Sequence, residues 1–124
     1  MNLNTYETAF KNATPMPEYI PVPDGEYLAT LDEVEFTESK ENGRPMLKWT
    51  FTIQGPKYKN RKLWKYSLLD TWNSLRWLKR DLGLLKMEVT SLEEVVPALQ
   101  ETWVGKGMKV YKKTVEGFDR VYLS

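Results

Sequence analysis

The sequence predicts a mainly β protein: a five-stranded β-barrel with a helical connection between its third and fourth strands and an extended N-terminal arm. Three observations carry that expectation. Residues 46–54, MLKWTFTIQ, alternate apolar and polar side chains, the period of a strand with one buried face. Residues 69–85, LDTWNSLRWLKRDLGLL, change period, with Trp72, Leu75, Leu78 and Leu82 on one helical face. The segments on either side of that helix read as short β-rich runs punctuated by glycine and proline.

Along the chain, Pro15, Pro17, Pro21 and Pro23 each remove a backbone donor and bias the preceding residue toward extended geometry. Residues 1–22 are therefore expected to form a proline-rich arm and residues 23–124 a single domain. Pro23-Asp24-Gly25 signals a turn into a first strand, EYLATLDEVEF. Its apolar phase shifts between Leu31 and Val34, which predicts a bulge that bends the strand. A polar loop, TESKENGRP, leads to the second strand. There Leu47, Trp49, Phe51 and Ile53 face inward, while Met46, Lys48, Thr50 and Thr52 face outward.

Gln54 to Asn60 connects to the third strand, RKLWKYSLL, whose facing is ambiguous. Arg61, Leu63, Lys65 and Ser67 form one defensible inner set, and Lys62, Trp64, Tyr66 and Leu68 form the other. Leu68 favours the second, with Trp64 in the core, because a strand's apolar set goes inward. Asp70 or Thr71 caps the helix that follows and Gly83 closes it. Ser91, three residues before Glu94, has capping-box spacing for a second, short helix limited by Pro97. KGMKVYKKTV and DRVYLS then form two strands joined through Glu116-Gly117-Phe118.

Composition narrows the chemistry. With 124 residues the chain has room for one modest core. Cysteine and histidine are both absent, which removes thiolate nucleophiles, the usual general base and the commonest metal ligands. No catalytic residue, metal or cofactor is expected. A metal-dependent nuclease built from Asp32, Glu33, Glu35 and Glu38 is disfavoured, because strand alternation sets Asp32 and Glu33 on opposite faces. No apolar run approaches the roughly 20 residues of a membrane span, and the N-terminus lacks a signal peptide's pattern, so a soluble, intracellular protein is expected.

The net charge of +1 conceals an uneven layout. Residues 1–45 carry three bases against nine acids, and residues 46–124 carry fifteen against eight. A basic body suits a polyanion.

Five short strands with a helical link between the third and fourth is the element order of the OB-fold, a small, partly open Greek-key barrel. In that fold oligonucleotides lie across strands two and three and the loops joining strands one to two and four to five. The stretch from Lys57 to Tyr66 would fall in that region, with Lys57, Lys59, Arg61, Lys62 and Lys65 interleaved with Tyr58, Trp64 and Tyr66. Basic side chains that track phosphates beside aromatic faces on which bases stack are the recurring means of holding single strands. Lys48 faces outward as a phosphate contact. On the fourth strand Met108 and Val110 suit the core, which leaves Lys109, Tyr111 and Lys113 outside, with Tyr111 as a stacking candidate and a lysine-protected edge as the plainer reading. Tyr58, at the hairpin tip, is a base contact. If Trp64 is core, Lys65 faces the nucleic acid; if not, Trp64 and Tyr66 are the platforms.

The residues also resemble a known family. Pro23, Gly25 and Tyr27, then Glu38, Ser39, Lys40 and Gly43, then Met46, Leu47 and Lys48, then Tyr58, Lys59, Arg61 and Lys62 are similar to the pattern of short phage proteins catalogued as domain of unknown function 669. Asn60 stands where that pattern has glycine, and asparagine readily takes positive φ in a turn. The resemblance covers residues 20 to 115. It implies a phage single-stranded DNA-binding protein of replication and recombination modules, with replication or recombination proteins as further partners. Such proteins often end in an acidic tail that recruits partners, and Ser124 follows directly on the last strand. Recruitment is then absent, or falls to the acidic N-terminal third, or the chain is trimmed.

Trp77 breaks the helical pattern, lying among Asn73, Arg76 and Arg80 on the polar face. A ring there calls for a cover: the arm, through Tyr19 and Ile20, is the favoured one, with a subunit interface of a homodimer or a stacked base as alternatives. Sequence-tolerant binding of single-stranded DNA is the function expected, and a non-enzymatic protein-interaction module is the competing one.

Overall fold

The computed structural model describes residues 2–13 and 21–124. Within them the elements are α1 (Asn4–Asn12), β1 (Gly25–Glu38), β2 (Pro45–Ile53), β3 (Lys62–Leu68), α2 (Trp72–Leu84), α3 (Leu92–Thr102), β4 (Gly107–Val115) and β5 (Phe118–Leu123). The protein is mainly β, with one antiparallel five-stranded sheet in the order β3-β2-β1-β4-β5. The sheet is not closed: β3 and β5 are its two edges.

β1 is the hinge of this sheet. Its first part, Gly25 to Thr30, pairs with β4, and from Ala29 onward it pairs with β2. The expected bulge sits just past that handover: Leu31 opposes Phe51 and Glu33 opposes Thr50, so Asp32 is the extra residue. A bulge bends its strand and increases the local twist, and here it curls the two halves of the sheet so that edge β3 approaches edge β5.

The expected inner face of β2 holds without exception. Leu47, Trp49, Phe51 and Ile53 are fully buried, and the Trp49 and Phe51 rings lie nearly parallel with centroids 6.4 Å apart. Ala29, Leu31 and Val34 of β1, Leu63 of β3, Met108 and Val110 of β4, and Val121 and Leu123 of β5 complete the sheet's share of the core. α2 packs on β3 through Leu78 and Leu82, and α3 packs on β1 through Val95 and Leu99.

Several expectations are corrected. The first part of the arm is helical, because NTYETAFKN precedes the proline run and nothing in it forbids a helix; α1 buries none of its residues. Tyr19 and Ile20, expected to cover Trp77, lie outside the described residues. Val22, the last residue of the expected arm, is buried, and its carbonyl accepts from Lys112 Nζ at 2.7 Å. Thr71 caps α2, its hydroxyl accepting from Ser74 N at 3.1 Å, but Gly83 stays inside the helix. Trp72, expected on the buried face, is 68% exposed; the helix buries Leu78, Asp81 and Leu82, one to three turns further on. α3 runs five residues past Pro97. The Glu94 carboxylate accepts from Thr90 N and Oγ1 instead of closing a box with Ser91.

Candidate nucleic-acid interface

The facing of β3 decides what the protein can present. Leu63, Lys65 and Ser67 are buried while Lys62, Trp64 and Tyr66 are exposed, so the expectation that put Trp64 in the core is overturned. The reason lies across the strand pair. Leu63, Lys65 and Ser67 oppose Phe51, Trp49 and Leu47, whose side chains already fill the interior. A second indole on that side would overpack it. The buried Trp49 N–H also needs an acceptor, and the Ser67 hydroxyl supplies one at 3.1 Å.

Lys65 reaches its place by a different route. Its ammonium meets Asp81 Oδ2 of α2 at 3.1 Å and donates to the Val121 carbonyl of β5 at 3.1 Å, with the Tyr122 ring 5.9 Å away. Both side chains of the Lys65–Asp81 pair are nearly sequestered, at 10% and 4% exposure. Lys65 is thus a strut across the open edge of the sheet and is withdrawn from the phosphate-facing role expected of it. Lys112 of β4 plays a similar part, buried between Val22 O, Asp119 Oδ1 at 3.3 Å and Asp24 Oδ1 at 3.5 Å.

The outer surface of β2 and β3 reads across the strands. Lys48 opposes Tyr66, Thr50 opposes Trp64 and Thr52 opposes Lys62. Trp64 and Tyr66 are 44% and 51% exposed. Lys62 Nζ donates to Asp32 Oδ2 at 2.9 Å, and the Thr52 hydroxyl also bonds that carboxylate. The bulge that makes Asp32 the extra residue turns both Asp32 and Glu33 to solvent, so the alternation expected of them does not hold. No group of three or more acidic, histidine or cysteine side chains able to hold a metal ion occurs among the described residues.

The curl of the sheet leaves a groove of about 770 Å³ between β3 and β5. It is lined by Trp64 and Tyr66 of β3, Phe118, Arg120 and Tyr122 of β5, and Trp77 of α2. The sequence reading missed the β5 wall, though its signal is visible: Phe118, Arg120 and Tyr122 recur at a period of two against the buried Val121 and Leu123. Phe118 directly follows the β4–β5 turn, where Glu116 and Gly117 have φ of 52° and 82°, and it is 72% exposed.

The remaining expected residues divide. Lys57 and Lys59 are exposed in the β2–β3 connection and Arg61 is half-buried beside them. Asn60 has φ of 70°, the positive value expected where it replaces glycine. Tyr58 is drawn back onto the domain, with its ring edge-on to Tyr27 at 6.3 Å and partly buried against the core, which corrects its expected role at the loop tip. Lys109, Tyr111 and Lys113 point outward from β4 as expected. Tyr111 stands between Glu26 of β1 and Tyr122 of β5, away from the groove's lining.

Two exposed carboxylates fasten the loops around this surface. Asp70 takes a bidentate contact from Arg44 at 2.8 and 2.9 Å, and the hydrogen bond holds its pKa below the ordinary carboxylate value. Asp24 accepts from Thr114 N with both oxygens at 3.0 Å, and that backbone contact likewise lowers its pKa.

The sheet and its groove define a small, mainly β protein with an aromatic and basic outer face; among the described residues no helix is long and apolar enough to cross a membrane. The chain belongs to the family described as Protein of unknown function (DUF669), whose profile matches residues 8–117. Comparison with curated proteins finds no match.

Proposed function

We propose that the protein binds single-stranded DNA, without strong sequence preference, along the outer face of β2 and β3 and into the β3–β5 groove. The observation that carries this reading is the pair Trp64 and Tyr66, held outward on a strand whose other face is buried. Exposed aromatic rings on a rigid strand are what stacked bases require, and each stack contributes about 1–3 kcal/mol. Lys48, Lys57, Lys59 and Lys62 lie beside them or in the adjoining loop as phosphate contacts.

The strand order supports an OB-fold reading, since in that partly open barrel the second and third strands and the loop between the fourth and fifth converge on the ligand. Phe118 follows that loop and lines the groove with Trp64 and Tyr66. Binding in phage replication or recombination is the setting that the family resemblance suggests.

The test is a fluorescence-anisotropy titration with single-stranded and duplex oligonucleotides at 50 and 200 mM salt. The reading requires tighter binding of the single strand, with log K falling by about 0.7 per decade of salt for each phosphate contacted. Binding that is flat in salt, or equal for the duplex, would contradict it.

A further inference from the structure

Trp77 is exposed over 58% of its surface on α2, and it borders two hollows at once. One is the β3–β5 groove, which it helps to line. The other is a shallow depression of about 380 Å³ framed by Asn73, Arg76, Trp77 and Arg80. The Arg80 guanidinium lies 5.5 Å from the centre of the Trp77 ring. It is also steadied by Asp81, whose Oδ1 is 3.8 Å from Arg80 Nη1. Arg76, Lys79 and Arg80 are exposed, and the one acid of α2, Asp81, is buried and engaged by Lys65. The exposed charged side chains of the helix around Trp77 are therefore all cationic.

A guanidinium stacked on an indole keeps its in-plane N–H groups directed outward, a geometry that matches phosphate oxygens. An indole edge or face left open beside it accepts a base. The same ring lines the groove together with Trp64 and Tyr66, so a strand bound along those two rings has Trp77 within the same groove.

The geometry points to a second nucleotide subsite on α2, in which Trp77 stacks a base and Arg76 and Arg80 hold the flanking phosphates of a single strand that leaves the β3–β5 groove. This rests on the single-strand reading above and extends it: the binding path continues off the sheet onto the helical connection. Single-strand sites on folds of this size cover about 4 to 16 nucleotides, so the subsite is engaged by long strands and not by short ones.

The experiment compares the full chain with Trp77→Ala, Trp77→Phe and Arg76→Gln/Arg80→Gln by anisotropy, using dT5, dT16 and rU16. Trp77→Ala is expected to weaken binding of a 16-mer by about 5- to 150-fold, the loss of one stacked base, while leaving dT5 unchanged; Trp77→Phe restores part of the loss. The double arginine variant is expected to lower the salt slope on the 16-mer by about 1.4, or 0.7 per phosphate contact. A loss on either dT16 or rU16 supports the subsite, and the two together distinguish the sugars it takes. If wild type binds both 16-mers and the variants match it on both, in affinity and salt slope, the subsite is overturned while single-strand binding stands. If wild type binds none of the three, both inferences fall. Because Trp77 and both arginines are exposed, far-ultraviolet circular dichroism should confirm that every variant is folded.

Discussion

The two faces of β3 use opposite residue types from those their positions usually attract. Its inner face carries Leu63, Lys65 and Ser67, and its outer face Lys62, Trp64 and Tyr66. On β2, next to it, every inner side chain is apolar, and the outer face is Met46 followed by the polar Lys48, Thr50 and Thr52. The difference teaches that a strand's facing is set by what the opposite elements supply. β2 faces its own sheet's core, whereas β3 faces α2, which brings a buried carboxylate, and β5, which brings a free carbonyl. A lysine held by those two partners is accommodated in the interior, and the aromatic rings are left facing solvent.

If that account of β3 is right, substitutions on its two faces separate stability from binding. The largest effect is expected from Lys65→Ala or Asp81→Ala, each of which leaves a buried charge unpaired and costs about 3–5 kcal/mol, read as the midpoint of urea unfolding. Replacing both, as Lys65→Met with Asp81→Leu, should recover most of that loss, since a buried pair exchanged for apolar residues is often neutral. A double variant no more stable than the singles would break the comparison.

On the outer face the expectation reverses. Trp64→Ala should cost about 1–3 kcal/mol of single-strand affinity while changing stability by about 0.5 kcal/mol or less, as for exposed sites generally. Smaller still, Lys48→Gln should lower the salt slope by about 0.7 and leave the unfolding midpoint where it was. Equal effects of Lys48→Gln on duplex and single strand would show a merely basic surface.

Acid sensitivity gives a fourth check that involves neither face. Asp24 and Asp70 have pKa values held below the ordinary carboxylate value by their hydrogen bonds. Their stabilisation is complete above the unfolded value near 3.9 and is lost as pH falls through the lower folded values. Thermal stability should therefore be level from pH 7 to about pH 5 with respect to these groups and decline below about pH 4. Asp70→Asn should flatten that decline.

Much of the sheet was legible because local signals agreed. The two-sided alternation of β2, the phase slip that marks the bulge at Asp32 and the outward Tyr111 of β4 each follow from a period of two within one strand. β3 was not legible in this way, because the more apolar of its two candidate inner sets, the one with Trp64 and Tyr66, is the one that faces out. The deciding partner, Asp81, lies sixteen residues downstream on another element. Tyr58 misled for a related reason: a basic, turn-rich loop reads as solvent-exposed, while the φ of 58° that folds its ring onto Tyr27 depends on tertiary contact. The β5 wall of the groove went unread because a site between two sheet edges exists only once the bend of β1 brings them together.

The central claim, that the outward rings of β3 hold a single strand, is tested most directly by titrating labelled dT16 with wild type and with the Trp64→Ala/Tyr66→Ala double variant at 50 mM salt. The account predicts binding weakened by about 30-fold or more, from two lost stacks, with the unfolding midpoint nearly unchanged. Undiminished affinity in a folded double variant would contradict it.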